Sequence, residues 1–292
     1  MANHFIQELT ADKLIKYTAK GNNEIYIVNA HNAPLVMHEI GRLREESFSD
    51  AGGGTGKTVD IDEYDTSENC YDQLLVFNRE SNEIIGGYRF IDGKRALTNP
   101  DHIALSTLHY FDFSDEFIRE YLPYTIELGR SWLRPEYQSA KNFKKGLYAL
   151  DNIWEGLGAI VKLYPDLKYF FGKITMYPSY DREARDILLS FMHHFFPDKE
   201  GLVRPKIPMS YVDHTALFEG LSYKEAFRKV NKIIRAKGTI IPPLFNIYMN
   251  LSPTMKMFGT ALNNDFGEVE ESAIMITVED VYDDKKARYV GG

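Results

Sequence analysis

Glu127 and Arg130 stand three residues apart in TIELGRSWLRPEYQ, the stretch from Thr125 to Gln138, and Arg134 follows them. Ile126, Leu128, Trp132 and Leu133 around them read as a buried strand, and buried strands rarely keep charges that are neither paired nor used. A carboxylate in apolar surroundings can accept a proton, and a guanidinium can fix another carboxylate through two parallel hydrogen bonds. Taken alone, an ion pair that ties the sheet to its neighbours explains these residues equally well. Three further charged islands shift the balance: RLREESF from Arg42 to Phe48, DEYD from Asp62 to Asp65, and IIGGYRFI from Ile84 to Ile91. Together they point to one polar site assembled from distant segments.

The elements that must carry these residues follow from periodicity. Glu24 to Asn29 reads as a strand and Ala33 to Phe48 as an amphipathic helix. Gln73 to Phe77 and Ile84 to Ile91 read as an antiparallel hairpin closed by the turn-like NRESNE. Thr125 to Leu133 and Tyr169 to Met176 are the next strands, and Phe143 to Leu163 and Arg182 to Phe196 are helices. The order is α/β with a mixed, mostly antiparallel sheet flanked by helices. After Pro197 a polar, proline-containing link leads to a basic helix from Tyr223 to Lys237. The apolar, proline-broken IIPPLFNIYMNLSP comes next, and Ser272 to Val278 is a last strand. Residues 1–200 therefore form the expected core and residues 201–292 an extension packed on it.

With 292 residues and 44% hydrophobic content, the chain can bury a sizeable interior. A formal net charge of −8 argues against nucleic acid as a partner. The single cysteine, Cys70, excludes an intramolecular disulfide and fits a reducing cytosol. No cation flanks Cys70 to lower its pKa, so it reads as inert. MANHFIQELTADKLIKY reads as neither signal peptide nor anchor, and no run reaches the roughly 20 apolar residues of a spanning helix. The expected location is the cytoplasm, with peripheral contact at the inner face of the membrane as a further role. The basic helix suits an acidic carrier protein, anionic lipid headgroups or a solvated face that covers the core.

Two motifs are set aside. AGGGTGKT, Ala51 to Thr58, satisfies a relaxed phosphate-loop pattern, but no strand delivers it, no helix starts at its Lys-Thr, and acidic VDIDEYD follows. It reads as a mobile loop. HHFFPD puts His193 and Asp198 at the spacing of the glycerolipid acyltransferases, but it runs into Pro197 without a second such motif and reads as coincidence. Neither these residues nor Asp213 and His214 have metal-ligand spacing, and no metal is expected.

In register, Arg44 and Phe48 on the first helix, Asp62 and Asp65 before the hairpin, Arg89 ending GGYR, and Glu127 with Arg130 on the central strand resemble the acyl-carrier-protein-dependent branch of the GNAT N-acyltransferases. That branch includes acyl-homoserine-lactone synthases and ornithine or glycine lipid N-acyltransferases. The similarity runs from about residue 24 to 200. GGYRF followed by ELGRSWLRPEYQ is closer to the amino-acid lipid enzymes, once called hemolysin-like. LSPTMKMFGTALNNDFGEVEESAIMI is similar to the extension of glycine lipid N-acyltransferases from gut-type bacteria. One departure stands out: Gln138 to Phe143 lacks the glycines with which many relatives hold coenzyme A pyrophosphate.

The resemblance implies transfer of a (3-hydroxy)fatty acyl group to the amine of a small amino acid, glycine or ornithine, in aminolipid synthesis. No cofactor is expected to be tightly bound. The donor substrate would be the acyl-phosphopantetheine of acyl carrier protein, or acyl-CoA. Glu127, Arg130 and Arg89 would be catalytic. Arg44, Phe48, Asp62, Asp65 and Trp132 would bind substrate. Arg134, Lys141, Lys144 and Lys145 would face the donor or its carrier, although the three lysines equally suit a solvated helix start. A homoserine-lactone signal synthase and a non-catalytic acyl-binding module of the same fold are the alternatives.

Overall fold

The structure, a computed structural model, describes residues 4–99, 102–138 and 143–289, with the side chains of residues 143–145, 147 and 289 excepted. In chain order, β1 (Leu14–Tyr17) and β2 (Glu24–Val28) precede α1 (Pro34–Asp50) and the single turn α2 (Glu63–Thr66). β3 (Asp72–Asn78), β4 (Glu83–Asp92), α3 (Gly93–Ala96) and β5 (Phe111–Phe113) follow, then β6 (Thr125–Leu133), α4 (Pro135–Gln138) and α5 (Phe143–Leu163). The chain continues through β7 (Tyr169–Met176), α6 (Arg182–Phe195), β8 (Val203–Pro205), α7 (Tyr223–Ala236) and α8 (Pro243–Met249). It ends with β9 (Lys256–Asn263), β10 (Val269–Thr277) and α9 (Asp283–Tyr289). The fold is the expected α/β one, a mixed, mostly antiparallel sheet flanked by helices.

The chain forms two compact units: the described residues of 1–106, 122–168 and 283–292 make the first, and 107–121 with 169–282 make the second. The expected boundary between residues 200 and 201 falls inside the second unit.

In the first unit β1, β2, β3, β4 and β6 pair in that order, each antiparallel to the next. β3 is buried on both faces except at its last residue, which fits its sequence DQLLVFN. Its alternation assigns the layers: Gln73 turns toward Arg44 of α1, while Leu74 turns toward Gly156 of α5. A Cβ on Gly156 would sit 2.6 Å from Leu74, so the glycine sets how closely α5 lies on the sheet. Ile153, Trp154, Leu157 and Ile160 supply the buried stripe of α5. Phe77 has no exposed surface, and truncating it to alanine would cost about 3–5 kcal/mol.

The β4–β6 pairing holds the one irregularity that shapes the site. Gly87 faces Trp132 and Arg89 faces Gly129, so Arg130 and Ser131 together stand against Tyr88 alone. This is a β-bulge, and Arg130 adopts the left-handed conformation in it, with φ 48. An arginine held where glycine is the usual occupant carries a conformational cost that its surroundings must offset.

In the second unit β7, β10 and β9 pair antiparallel in that order, and β5 pairs with β8. An isolated parallel bridge joins Pro197 to Met257. α6 is capped by the Asp181 carboxylate, which accepts from Ala184 N at 2.8 Å. Phe191 of α6 packs against Phe195, Phe218, Tyr223 and Phe227, which ties α6 to α7. The proline-broken segment contains a helix after all, because Pro243 occupies the first helical position of α8, where a missing N–H costs nothing. β9 was not expected, and the last strand starts at Val269 rather than Ser272. No helix among the described residues is long and apolar enough to cross a membrane.

Candidate active site

Four segments of the first unit deliver three arginines and three aspartates to one buried network. Arg44 on α1 donates from Nε to Asp60 at 3.0 Å, and from Nη2 to Asp65 at 2.8 Å and to the carbonyl oxygen of Asp60. Its side chain and those of Asp60 and Asp65 are wholly enclosed. Arg89 on β4 donates from Nη1 to Asp62 at 2.7 Å and lies 3.2 Å from Asp65. Arg130, projecting from the bulge, donates from Nε to Asp60 at 2.9 Å and approaches Asp62 at 3.7 Å.

Local chemistry explains why the acids converge. Asp62 caps α2 by accepting from the amide of Asp65, and the Asp65 carboxylate accepts in return from the amide of Asp62. This reciprocal cap fixes two carboxylates one helical turn apart. Gln73 then donates to Asp65 at 2.9 Å.

The network is graded from closed to open. The Arg89 side chain is 2% exposed, whereas Arg130 is 17% and Asp62 30% exposed. Burial disfavours the charge on Asp60, yet Arg44 and Arg130 more than offset it and hold this carboxyl below its usual range. Burial likewise opposes charge on Asp65, which Arg44 and Arg89 keep well below the carboxylate range. Burial works against Arg89 too, but Asp65 and Asp62 leave its guanidinium firmly charged.

Glu127 adjoins this network on the same sheet face. Gln73, Arg89 and Gly129 are register partners across β3, β4 and β6, and Glu127 is two residues from Gly129. A Cβ at Gly129 would lie 3.6 Å from Arg89 Nε, an ordinary contact distance, so the arginine side chain runs directly over this glycine. That Nε is buried with no hydrogen-bond partner among the described residues. Glu127 is 1% exposed, and its Oε1 accepts from Ser106 Oγ at 3.0 Å. Ser106 is held in turn, since its amide donates to Tyr71 Oη at 2.8 Å. Burial, and after it the Glu127 charge, raises Tyr71 well above the ordinary phenol range. Burial and nearby carboxylates, Glu63 before Glu127, push Tyr64 up to about 12. Both tyrosines therefore stay protonated, and the Arg89 guanidinium lies 5.0 Å from the Tyr71 ring centre.

The structure thus joins Arg44, Asp62, Asp65, Arg89 and Arg130 in one network with Glu127 alongside. Phe48 and Trp132 are buried. Arg134 pairs with Glu83 at 3.2 Å and Glu136 at 2.9 Å. Lys141 lies outside the described residues, as do the side chains of Lys144 and Lys145. Four participants were not anticipated. Asp60 sits in an aperiodic loop, and Gln73, Tyr71 and Ser106 carry no charge to draw notice.

The glycine-rich loop, expected to be mobile, is hydrogen-bonded to α1, and the anion it holds comes from its own chain. Glu45 on α1 accepts from the amides of Thr55 at 3.0 Å and Gly56 at 2.8 Å, and from Thr55 Oγ1 at 2.7 Å. His193 stacks on Tyr211, while Asp198 accepts from the amide of Leu202 at 2.6 Å, so HHFFPD builds no histidine–carboxylate pair. Cys70 is buried, and burial raises its thiol pKa. No group of three or more metal-ligating side chains occurs among the described residues.

Residues 43–146 match the acetyltransferase (GNAT) domain family. Over 288 residues, 97% of its length, the chain is 50% identical to a glycine Nα-acyltransferase of Phocaeicola vulgatus, covering 88% of that protein. It is 52% identical over 288 residues to a glycine Nα-acyltransferase of Bacteroides thetaiotaomicron, covering 86% of it. The solved structure of BjaI, a CoA-dependent acyl-homoserine lactone synthase, with MTA aligns over 92% of this chain and 90% of its own, at 11% identity and TM-score 0.39.

Proposed function

The chain belongs to the glycine Nα-acyltransferase family, whose members are N-acyltransferases of the GNAT fold, and from that premise we propose that it transfers a fatty acyl group to the amine of glycine. The donor is the acyl-phosphopantetheine thioester of acyl carrier protein, with acyl-CoA as the substitute. The product is an N-acylglycine, the first intermediate of an aminolipid. A cytoplasmic enzyme suits these substrates.

One observation carries the reading: an enclosed glutamate on the central strand beside an arginine–aspartate network whose open end is Arg130 and Asp62. Glycine is a small zwitterion, and an arginine next to an aspartate offers one partner to each of its charges. In this reading Arg130, with Arg89 behind it, receives the acceptor carboxylate, and Asp62 steers the ammonium. Glu127 takes a proton from that ammonium, directly or through one water. The neutral nitrogen then attacks the thioester carbonyl, the C–S bond breaks, and the proton given up by the nitrogen goes to the leaving thiolate. The bulge at Arg130 and Ser131 shifts the register against β4, and backbone amides beside the central strand are the candidates to stabilise the oxyanion. Arg44 and Asp65, being enclosed, serve as positioning residues. Phe48 and Trp132 wall the substrate side, and Arg134 faces the donor.

The test is mass spectrometry of products from purified protein supplied with an acyl carrier protein thioester or acyl-CoA and, in turn, glycine, alanine, ornithine and homoserine. N-acylglycine should dominate. Acylation of another amine with glycine inert, or release of a lactone, would overturn the assignment.

A further inference from the structure

We propose that the exposed face of α7 is a docking surface for an anionic lipid bilayer. Lys224, Arg228, Lys232 and Arg235 recur at intervals of four, four and three residues, which places them in one stripe along the helix. The stripe is about 16 Å long at 1.5 Å per residue. The opposite side, Ala226, Val230 and Ile234, is buried within the same unit, so the cationic face points outward. None of the four cations forms a salt bridge among the described residues. The lone acid of the helix, Glu225, is engaged at its N-terminus, where it accepts from Ser222 N at 3.0 Å and Ser222 Oγ at 2.6 Å.

A row of cations on a chain of net charge −8 favours an anionic partner, and the residue that follows indicates which kind. Ile240, four residues beyond α7, keeps 59% of its surface exposed, and its carbonyl oxygen is held by the hydroxyl of Tyr180 at 2.9 Å. An apolar side chain held in solvent after a cationic helix suits an interface that offers both headgroup charge and hydrocarbon. A soluble acidic protein offers mainly the first. The inference does not depend on which amino acid is the acceptor.

Flotation of the full-length protein with vesicles of phosphatidylcholine, alone or mixed with phosphatidylglycerol, tests it at low and high salt. Binding should require phosphatidylglycerol and weaken as salt rises. Lys224→Glu/Lys232→Glu should lower the partition coefficient at least about tenfold. This pair is preferable to one that includes Lys229, whose Nζ donates to the Leu217 carbonyl oxygen at 2.9 Å and helps hold the fold. Ile240→Ser should weaken binding several-fold while leaving the salt dependence unchanged. Circular dichroism and thermal melting matched to the parent will show that the variants are folded. No vesicle binding by the parent, or equal binding by the double variant, overturns the proposal. So does a double variant with parental vesicle binding but weakened affinity for acyl carrier protein, which would assign the face to a protein partner.

Discussion

Arg44 Nη2 lies 2.8 Å from Asp65 Oδ2, and neither side chain keeps any contact with solvent. An ion pair closed this completely gains little over an apolar pair of equal volume, but removing one member strands the other. Arg44→Met should therefore cost about 3–5 kcal/mol in urea denaturation. Arg42→Met, two residues away on the half-exposed side of α1, should cost about 0.5 kcal/mol or less. Equal losses would mean that the network does not hold the fold.

The depressed carboxyls of Asp60 and Asp65 give this stability a pH dependence of known sign. A carboxylate whose folded pKa lies below its unfolded value of about 3.9 stabilises the fold above that value. It loses that contribution as pH falls toward the folded pKa. The stability gap between the parent and Asp65→Asn should thus be widest near neutrality and narrow as the solution is acidified below about pH 4. A gap independent of pH would mean that the carboxylate charge contributes nothing.

Glu127→Gln keeps the shape and can still accept from Ser106, but it cannot take the ammonium proton. The rate of acyl transfer should fall about 100-fold or more, with melting temperature close to that of the parent. A folded variant turning over at the parental rate would leave Glu127 a structural residue.

Arg130→Lys retains the charge at the open end of the network and loses the planar fork. The KM for glycine should rise about tenfold, with a smaller change in kcat. A raised KM for the acyl donor instead would reassign Arg130 to the other substrate.

Ser106→Ala removes the hydroxyl that donates to Glu127 and so favours the protonated carboxyl. The acid limb of the pH–rate profile should move to higher pH, and Ser106→Thr should restore it. A uniform loss of rate at every pH would indicate a packing defect instead.

Elements with strong periodicity were legible in the sequence to within a residue or two. Thr125–Leu133 and Tyr169–Met176 begin and end as expected because apolar runs there meet clear breaks. β9 was not seen, since KMFGTALN carries a glycine at its centre and follows a turn, leaving no clean alternation. The charged members of the site were visible because Arg44, Arg89 and Glu127 interrupt apolar segments. Asp60 was hidden among the acids of VDIDEYD, where only the fold reveals which one faces Arg44 and Arg130. Ser106 and Gln73 act through uncharged hydrogen-bonding groups, and nothing in their types or spacing marks them.

The Glu45 carboxylate in the glycine-rich loop makes α1 the loop's own tethered ligand. Because it cannot diffuse away, it occupies the amides at an effective concentration on the order of millimolar or above. A dissolved phosphate would have to displace it while paying for its own immobilisation and meeting its repulsion. The glycines at 54 and 56, both at positive φ, thus wrap a guest supplied by the chain itself. Trimming that one side chain is the shortest route from an internal strap to a vacant anion receptor.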